Sequence, residues 1–207
     1  MKKLFCVCML IVLVLLSFGC GTQEKQIIEK HGLLAYMYDS DLILNSDLIV
    51  TGEVSQIKES KWSNPDLKRG ENIRNLLQTD IVIKVNDVLY GEERKEIIVR
   101  NDKGEDENTV VIDSAVPDYE IGEKVLLFLM RDDSDVATDE EYYVTVGMKQ
   151  GKYTIDKNIA KRPNRQFDLE TLPEKIKEEH EKNPNYKQEK AKKQKEIELK
   201  NKELFGE

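Results

Sequence analysis

The sequence predicts a mainly β protein built around a small antiparallel barrel or sandwich, with a helix before it and a charged helix or tail after it. Between residues 46 and 160, seven short apolar runs are separated by turn residues, a pattern typical of a small all-β domain. Apolar residues at three- and four-residue steps in residues 26–45 favour a helix. Lysine and glutamate dominate much of residues 161–207, which indicates a solvated helix or a disordered tail.

Two of the runs alternate as expected for strands with one buried face. In the first, Ile81, Ile83 and Val85 alternate with Asp80, Val82 and Lys84, and in the second the apolar positions are 142, 144 and 146. The run at 125–130 is apolar on both faces, so we expect it to be the most buried strand. Gly52 indicates a bulge or a close approach of another segment. Residues 59–78 are predicted to be a long polar excursion, and residues 101–106 an acidic hairpin between the third and fourth strands. The predicted strands are 48–57, 81–90, 97–99, 110–112, 125–130, 142–146 and 153–155.

The segments on either side of the predicted barrel carry helix signals. In residues 26–45, His31 falls on the apolar stripe, Gly32 weakens the middle, and Asp39 begins a fresh N-cap for a short second turn. The barrel is predicted to end at Lys161. Thr171 then resembles the N-cap of a capping box at the start of a helix, which Asn183-Pro184-Asn185 interrupts.

The first twenty residues predict export. Two lysines precede an apolar run from Leu4 to Leu16, and small residues follow before Cys20, which is typical of a secretory signal and too short to span a bilayer comfortably. The Gly19-Cys20 junction resembles the lipobox of bacterial lipoproteins, although Ser17 stands where that family usually has leucine. The resemblance implies cleavage after residue 19 and lipid on Cys20, which would hold the chain at the extracytoplasmic face of the cell membrane. The alternative is a general secretory signal with a chance cysteine.

Composition excludes several classes of function. The formal net charge is −8, and removing the leader with its two lysines would change it to −10, so nucleic acid is not an expected partner. Cys6 and Cys8 would leave with the leader, so Cys20 would be the sole mature thiol and no disulfide framework is expected. The protein has two histidines, His31 and His180, the latter expected on an exposed helix face, which argues against a zinc site or a Cys/His nucleophile pair.

Three further motifs have ordinary explanations. Ser55 and Lys58 match the Ser-x-x-Lys pattern of penicillin-interacting enzymes, but they lie in a strand pattern, where positions i and i+3 point to opposite faces. The acidic loop with Asp132, Asp133 and Asp135 lacks the glycine and glutamate positions of an EF-hand, so we expect a solvated hairpin, with weak calcium binding as the alternative. A run of lysines in residues 187–195 is diluted by glutamates and reads as a solvated face rather than a contact for anionic lipid.

The predicted barrel resembles a known fold. Residues 46–54 (SDLIVTGEV), 83–91 (IKVNDVLYG) and 121–129 (IGEKVLLFL) are similar to strands of the netrin-like barrel of tissue inhibitors of metalloproteinases and of some bacterial secreted proteins. The resemblance covers about residues 46–155 and implies a five-stranded OB-type barrel. In those inhibitors a free, disulfide-bridged N-terminal cysteine meets the protease zinc, whereas Cys20 would be acylated and separated from the barrel, so metalloprotease inhibition does not carry over.

The sequence therefore predicts a membrane-anchored, non-enzymatic binding module with no metal or cofactor. Its partner would be a protein or an envelope component, contacted by loops that include Trp62, Asp132, Asp133 and Asp135. One alternative is an inhibitor or accessory factor of an envelope enzyme, acting through the loops at 59–78 and 131–141. A third is a carboxylate-based hydrolase, because paired carboxylates cannot be recognised from sequence.

Overall fold

The computed structural model describes residues 24–64, 66, 75–134, 137 and 140–205. The predicted leader, Cys20 and Asp135 lie outside the described residues. Within them the chain is mainly β, and no helix there is long and apolar enough to cross a membrane. The strands are β1 (Gln26–Lys30), β2 (Leu48–Ile57), β3 (Lys61–Trp62), β4 (Leu77–Tyr90), β5 (Glu96–Asn101), β6 (Gly104–Glu105), β7 (Thr109–Asp113), β8 (Lys124–Arg131), β9 (Tyr143–Thr145), β10 (Lys152–Asp156), β11 (Ile159–Arg162) and β12 (Arg165–Asp168). The helices are α1 (Asp39–Asn45), α2 (Leu172–Lys182) and α3 (Tyr186–Phe205), with a 3₁₀ turn at Met148–Gly151.

Five strands close into a barrel in the order β8-β2-β4-β5-β9, with β9 returning to pair with β8. All neighbours are antiparallel except β5 and β9, which pair in parallel at Val99 and Tyr143. The long strands β2 and β4 bend, and their pairing shifts register at three places. Gly52 lies at one of them, and a Cβ there would stand 2.6 Å from the Lys84 carbonyl oxygen. The predicted close approach at Gly52 is therefore confirmed.

β8 separates two hydrophobic cores, which confirms the expectation that it is buried on both faces. Its odd-numbered residues, such as Leu127, point into the barrel with apolar side chains of β2, β4 and β5. Its even-numbered residues, such as Phe128, point outward into a second core that α1, α2 and β10–β12 cover. Phe128, Tyr153 and Phe167 pack ring against ring there, with centroids 5.0–5.8 Å apart. The sheet continues beyond the barrel into β10–β12, because these strands help to cover the second core.

The helix predicted over residues 26–45 is confined to Asp39–Asn45. Residues 26–30 instead form β1, which pairs in parallel with β7, because Ile27 and Ile28 suit a strand as well as a helix once a partner edge is present. His31 follows this strand with a 74% exposed side chain and lies on no buried stripe. The short helix at the predicted second N-cap does form, and the Asp41 carboxylate accepts a hydrogen bond from the backbone N–H of Tyr38.

The acidic segment after β5 also differs from its prediction. It does not return to β5 as a hairpin, because β5 is already paired on both sides, with β4 and with β9. β6 pairs instead with β7, and β1-β7-β6 form a separate three-stranded sheet beside the barrel. The predicted excursion at 59–78 likewise contains β3 and the start of β4.

The β structure extends past the predicted boundary at residue 160 and ends at Asp168, because Phe167 pairs with Ala160 and fills the second core. α2 belongs to the folded unit as well, since it buries Leu172 and Ile176. Thr171 is its N-cap residue but makes no side-chain cap, so the predicted capping box is wrong.

The C-terminal segment that was expected to be a helix or a tail is helical through α3, and residues 183–185 separate it from α2 as predicted. α3 contacts α1 at its first turn, where the Asn45 side chain donates to the Tyr186 hydroxyl at 3.1 Å and Lys187 donates to the Ser46 carbonyl at 2.8 Å. His180 on α2 is half-buried rather than exposed, because its ring stacks on Tyr90 of the barrel with centroids 4.1 Å apart.

Candidate functional site

The loops that leave β2 and β8 meet at one end of the barrel, which we call the rim. The β2–β4 loop contributes Lys61 and Trp62, and the β8–β9 loop contributes Asp132, Asp133, Glu140 and Tyr142. The two loops contact each other, since the Lys61 amine donates to both carboxylate oxygens of Glu140 at 3.0 and 3.2 Å. The sequence placed candidate residues on these two loops without showing that they touch.

A buried ion pair lies beneath the loops. Asp80 of β4 and Arg100 of β5 are direct cross-strand partners. The Arg100 guanidinium donates through Nε and Nη2 to the two Asp80 oxygens at 2.7 and 3.0 Å, and the side chains are 2% and 8% exposed. Burial alone would lower the pKa of Arg100, but its hydrogen bonds to Asp80 and Glu140 outweigh burial and hold that pKa above its usual range. The pair is therefore a fixed ionic anchor under the rim.

Arg100 also holds the β8–β9 loop. Its Nη2 donates to Glu140, and its guanidinium lies 3.9 Å from the ring centroid of Tyr142. The hydrogen bonds from Arg100 and Lys61 lower the pKa of Glu140 to about 2, although the Glu140 side chain is 57% exposed. Arg100 thus contacts both ends of the segment 140–142.

The acidic loop is more organised than a solvated hairpin. Asp132 accepts the Tyr142 hydroxyl at 2.7 Å and the Ser134 backbone N–H at 3.0 Å. Burial acts to raise the pKa of Asp132, but these hydrogen bonds prevail and lower it. Asp133 is exposed to solvent. Of the predicted loop acids, Asp132 is therefore structural and Asp133 is free to face a partner.

Trp62 connects the rim to the three-stranded sheet. Its indole Nε1 donates to Asp106 at 2.8 Å, and the other Asp106 oxygen accepts the backbone N–H groups of Asn108 and Thr109. The Trp62 side chain is half-buried, so part of its ring faces solvent at the rim. Lys61, which precedes Trp62 in the chain, begins a set of contacts that runs through Glu140, Arg100 and Tyr142 to Asp132.

Sequence reasoning missed the centre of this site. Alternation of apolar residues placed Asp80 on an exposed face of its strand, whereas it is buried. Asp102, at the turn after β5, was also missed. Burial raises the pKa of Asp102, Gln78 donates to it at 2.8 Å, and the negative charge of Asp132 raises the pKa further. The Asp80–Arg100 pair could have been suspected from an arginine in one predicted strand and an acid beside the preceding one. To pair them, however, requires the register between β4 and β5, which the sequence does not show.

The remaining candidate groups are placed as follows. Ser55 lies in β2 and its hydroxyl donates to the Val82 carbonyl at 3.1 Å, consistent with a strand and not with a helix start. In the tail, Lys187 pairs with Asp47 and Lys190 with Asn45, so these two lysines dock α3. Among the described residues no group of three or more histidine, cysteine or carboxylate side chains is arranged to hold a metal.

Fold and site together define the class of this protein as mainly β, with a closed five-stranded barrel and an ion-pair network at one rim. Comparison with known protein families and with curated proteins finds no match.

Proposed function

We propose that this protein is a lipid-anchored, extracytoplasmic binding module that recognises a protein or envelope component through the rim of its barrel. The observation that carries the proposal is the Arg100 network, which joins the two rim loops to each other and to the barrel wall. Side chains that are already held in place before binding lose less conformational entropy when a partner arrives. A rim held in this way is suited to recognition.

The proposed barrel type also favours the rim as the binding surface. We propose that the five-stranded barrel, which closes in the order β8-β2-β4-β5-β9, is of the OB type that the sequence resemblance implies. In that type, the loop between the first and second strands and the loop between the fourth and fifth carry ligand sites. The corresponding loops of this chain are β2–β4 and β8–β9, which form the rim.

The charge of the rim favours a partner with a basic contact surface. Glu140 is paired there with Lys61 and Arg100, and Glu141 with Arg94. The half-buried Asp132 and the exposed Asp133 form no ion pair among the described residues, so the rim carries an excess of negative charge. The net charge of −8 also opposes nucleic acid as a partner. Complementary charge would steer association and fix the orientation of the bound partner.

A binding role fits the rim better than catalysis. Glu140 and Asp132 have lowered pKa values because hydrogen bonds stabilise their charged forms. A general acid or base works best with a pKa near the working pH, which these two carboxyls do not have. We therefore propose that the rim carboxylates recognise and position rather than transfer protons.

The proposed anchor sets where binding would occur. Cys20 precedes the start of β1 at Gln26 by six residues. A chain of that length spans at most about 20 Å when fully extended, so an acylated Cys20 would keep the folded unit close to the membrane. If Cys20→Ala left processing and membrane fractionation unchanged, a general secretory signal would explain the leader and the anchor would be wrong.

Site-specific photocrosslinking in intact cells tests the rim. A crosslinking amino acid at Asp133 is expected to capture one recurrent product, and the same amino acid at Lys157 in the β10–β11 turn is the matched exposed control. A product that appears from Asp133 and is lost in an Arg100→Met background supports the proposal. Equal products from both positions, or none from Asp133, would refute it.

A further inference from the structure

The three-stranded sheet beside the barrel leaves one of its edges open. Its strand order is β1-β7-β6, so β7 is paired on both sides. β1 pairs with β7 on one side and with no strand on the other within the part of the chain that the structure describes. An open edge presents a row of unpaired N–H and C=O groups, which is a template for pairing with a further strand. We call it the β1 edge.

The hydrogen bonds to β7 identify the backbone groups that face the β1 edge. The Gln26 N–H donates to the Asn108 carbonyl at 2.7 Å, and the Lys30 carbonyl accepts the N–H of the residue after β7 at 3.2 Å. Along a strand, residues that bond to one neighbour alternate with residues that face the other side. Ile27 and Glu29 occupy the alternate positions of β1, so their N–H and C=O groups point away from β7. These groups have no hydrogen-bond partner among the described residues.

An exposed apolar side chain lies at the centre of the β1 edge. Ile27 is 62% exposed and is the register partner of Val110 on β7. The next residue of β7, Val111, is buried, so Ile27 and Val110 lie on the outer face of the sheet. Ile112 lies on the same outer face and is 47% exposed. A further strand along β1 would cover Ile27 and extend this apolar surface.

The charges around Ile27 make the segment complementary to a second copy of itself in the antiparallel direction. The segment centred on Ile27 reads Glu-Lys-Gln-Ile-Ile-Glu-Lys. When Ile27 lies opposite Ile27 of a second copy, Glu24 lies opposite Lys30 and Lys25 lies opposite Glu29. Symmetry makes each of these pairs occur twice. Opposite charges at directly opposed positions stabilise an antiparallel pair, and like charges destabilise it.

The same register fits the free backbone groups. Ile27, Glu29 and, by continuing the alternation, Lys25 present their N–H and C=O groups to the β1 edge. The register opposes Lys25 with Glu29 and Ile27 with its own copy, so every hydrogen-bonded pair joins groups that β7 leaves free. Centring the pairing on Gln26 or Ile28 instead would lose all of the opposed charge pairs. Charge and hydrogen-bond pattern therefore select one register.

The charged side chains of this segment are placed to form the pairs. Glu24 is exposed and Lys30 is half-buried, and neither forms an ion pair among the described residues. Glu29 is exposed and lies 3.5 Å from the His31 ring. Lys25 already pairs with a carboxylate of β6, although its side chain is exposed. The Glu24–Lys30 pairs therefore carry most of the charge complementarity, and the Lys25–Glu29 pairs add to it.

We propose that two copies of this protein associate through the β1 edge, with the two β1 strands antiparallel and Ile27 at the two-fold axis. The two three-stranded sheets then join into one continuous sheet. Charged side chains on an edge strand usually prevent pairing with another chain, but the charges of β1 are ordered so that they attract a second copy. A two-fold pairing occupies the open edge of both copies, so the assembly closes at a dimer. The association depends neither on the rim nor on the lipid anchor.

Sedimentation equilibrium of the full-length protein in density-matched detergent measures the association. Detergent is kept in excess so that two chains do not share a micelle by chance. We expect a reversible equilibrium between monomer and dimer. A protein that stays monomeric up to about 100 μM would overturn the proposal, because weaker association would leave the edge unpaired at ordinary protein concentrations.

Two edge variants test whether the dimer uses β1. Ile27→Pro removes an N–H that faces the open edge and not β7, so we expect the dissociation constant to rise about tenfold or more. Glu29→Lys opposes two lysines at each Lys25 position and should weaken the dimer by about the same factor. Because Glu29 is exposed, this variant keeps the test valid if Ile27→Pro does not fold.

The matched control for these variants is Glu93→Lys in the β4–β5 turn. Glu93 is exposed and lies outside the three-stranded sheet, so its replacement makes the same change in charge and should leave the dissociation constant within about twofold. A dimer that is unchanged by both edge variants would refute the β1 edge as its interface. Equal weakening by Glu29→Lys and Glu93→Lys would reduce the effect to overall charge and refute the assigned pairs.

Disulfide crosslinking in isolated membranes tests the register. Ile27→Cys places two thiols at opposed positions about 5.5 Å apart between Cα atoms, which a disulfide can bridge, so oxidation should give a homodimer. Identical positions at Lys25 or at Glu29 would be about 13 Å apart, four residues along a strand. Lys25→Cys and Glu29→Cys should therefore crosslink poorly when expressed alone and readily when expressed together.

The wild-type chain, with its own cysteines, sets the background for this experiment. Efficient crosslinking of Lys25→Cys or Glu29→Cys alone, or no gain when the two are mixed, would refute the register. No product from Ile27→Cys above the wild-type background would refute the interface. A product whose mass is not twice that of the chain would identify a different partner and refute self-association.

Discussion

Replacing Arg100 by methionine tests whether the rim rests on its buried ion pair. Methionine keeps most of the side-chain volume but removes the charge that Asp80 faces across the two strands. Asp80 is 8% exposed, and the cation that would remain near it among the described residues is Lys61, whose amine is 3.7 Å away and whose side chain is half exposed. Removing one partner of a buried pair typically costs about 3–5 kcal/mol of stability. Because Lys61 remains, we expect a loss at the lower end, about 3 kcal/mol.

Chemical denaturation followed by circular dichroism measures this loss. Arg131→Met is the matched control, since Arg131 is exposed at the end of β8 and its loss should change the free energy of unfolding by less than about 0.5 kcal/mol. The double variant Arg100→Met/Asp80→Leu removes both charges and should be more stable than Arg100→Met alone, because no buried charge is left unpaired. A loss below about 1 kcal/mol in Arg100→Met, or a double variant that is no more stable, would refute the reasoning.

Three further predictions concern pH and packing. Glu140 has a folded pKa of about 2 against an ordinary 4.5, so its contribution to stability is present above pH 4.5 and is lost as pH falls toward 2. Because Glu140 is largely exposed, Glu140→Gln should lower the free energy of unfolding at pH 7 by less than about 1 kcal/mol and should make stability less sensitive to acid; unfolding curves with unchanged acid sensitivity would contradict this. Burial lowers the pKa of His180 below 6.5, so its contribution to stability is full above pH 6.5 and declines as pH falls from 6.5 through the folded pKa. His180→Phe should still stack on Tyr90 and should reduce the dependence of stability on pH below 6.5; an unchanged dependence would exclude His180 as its cause. Gly52→Ala should reduce stability by about 1–3 kcal/mol, because its Cβ would collide with the β4 backbone. In the control Gly32→Ala the new Cβ meets its nearest neighbour at 3.5 Å and should change stability little, so equal melting temperatures for the two variants would be inconsistent with a close approach at Gly52.

The barrel strands were predictable because their signal is local. Residues 48–57 and 125–130 form β2 and β8, and the apolar run on both faces of β8 predicted that this strand is deeply buried. Strand identity depends on side-chain periodicity, which is written in consecutive residues. For this reason the predicted bounds of β2 and β8 differ from the observed bounds by no more than a residue at each end.

The errors lie where a distant partner decides the structure. Residues 26–30 form β1 because β7 offers an edge more than 80 positions away, and the spacing of Ile27 and Ile28 alone cannot report that edge. The Asp80–Arg100 pair has the same origin, since a polar residue in a strand reads as exposed until its cross-strand neighbour is known. The loops were identified as candidate contacts from composition, but the ion pair that orders them required the register.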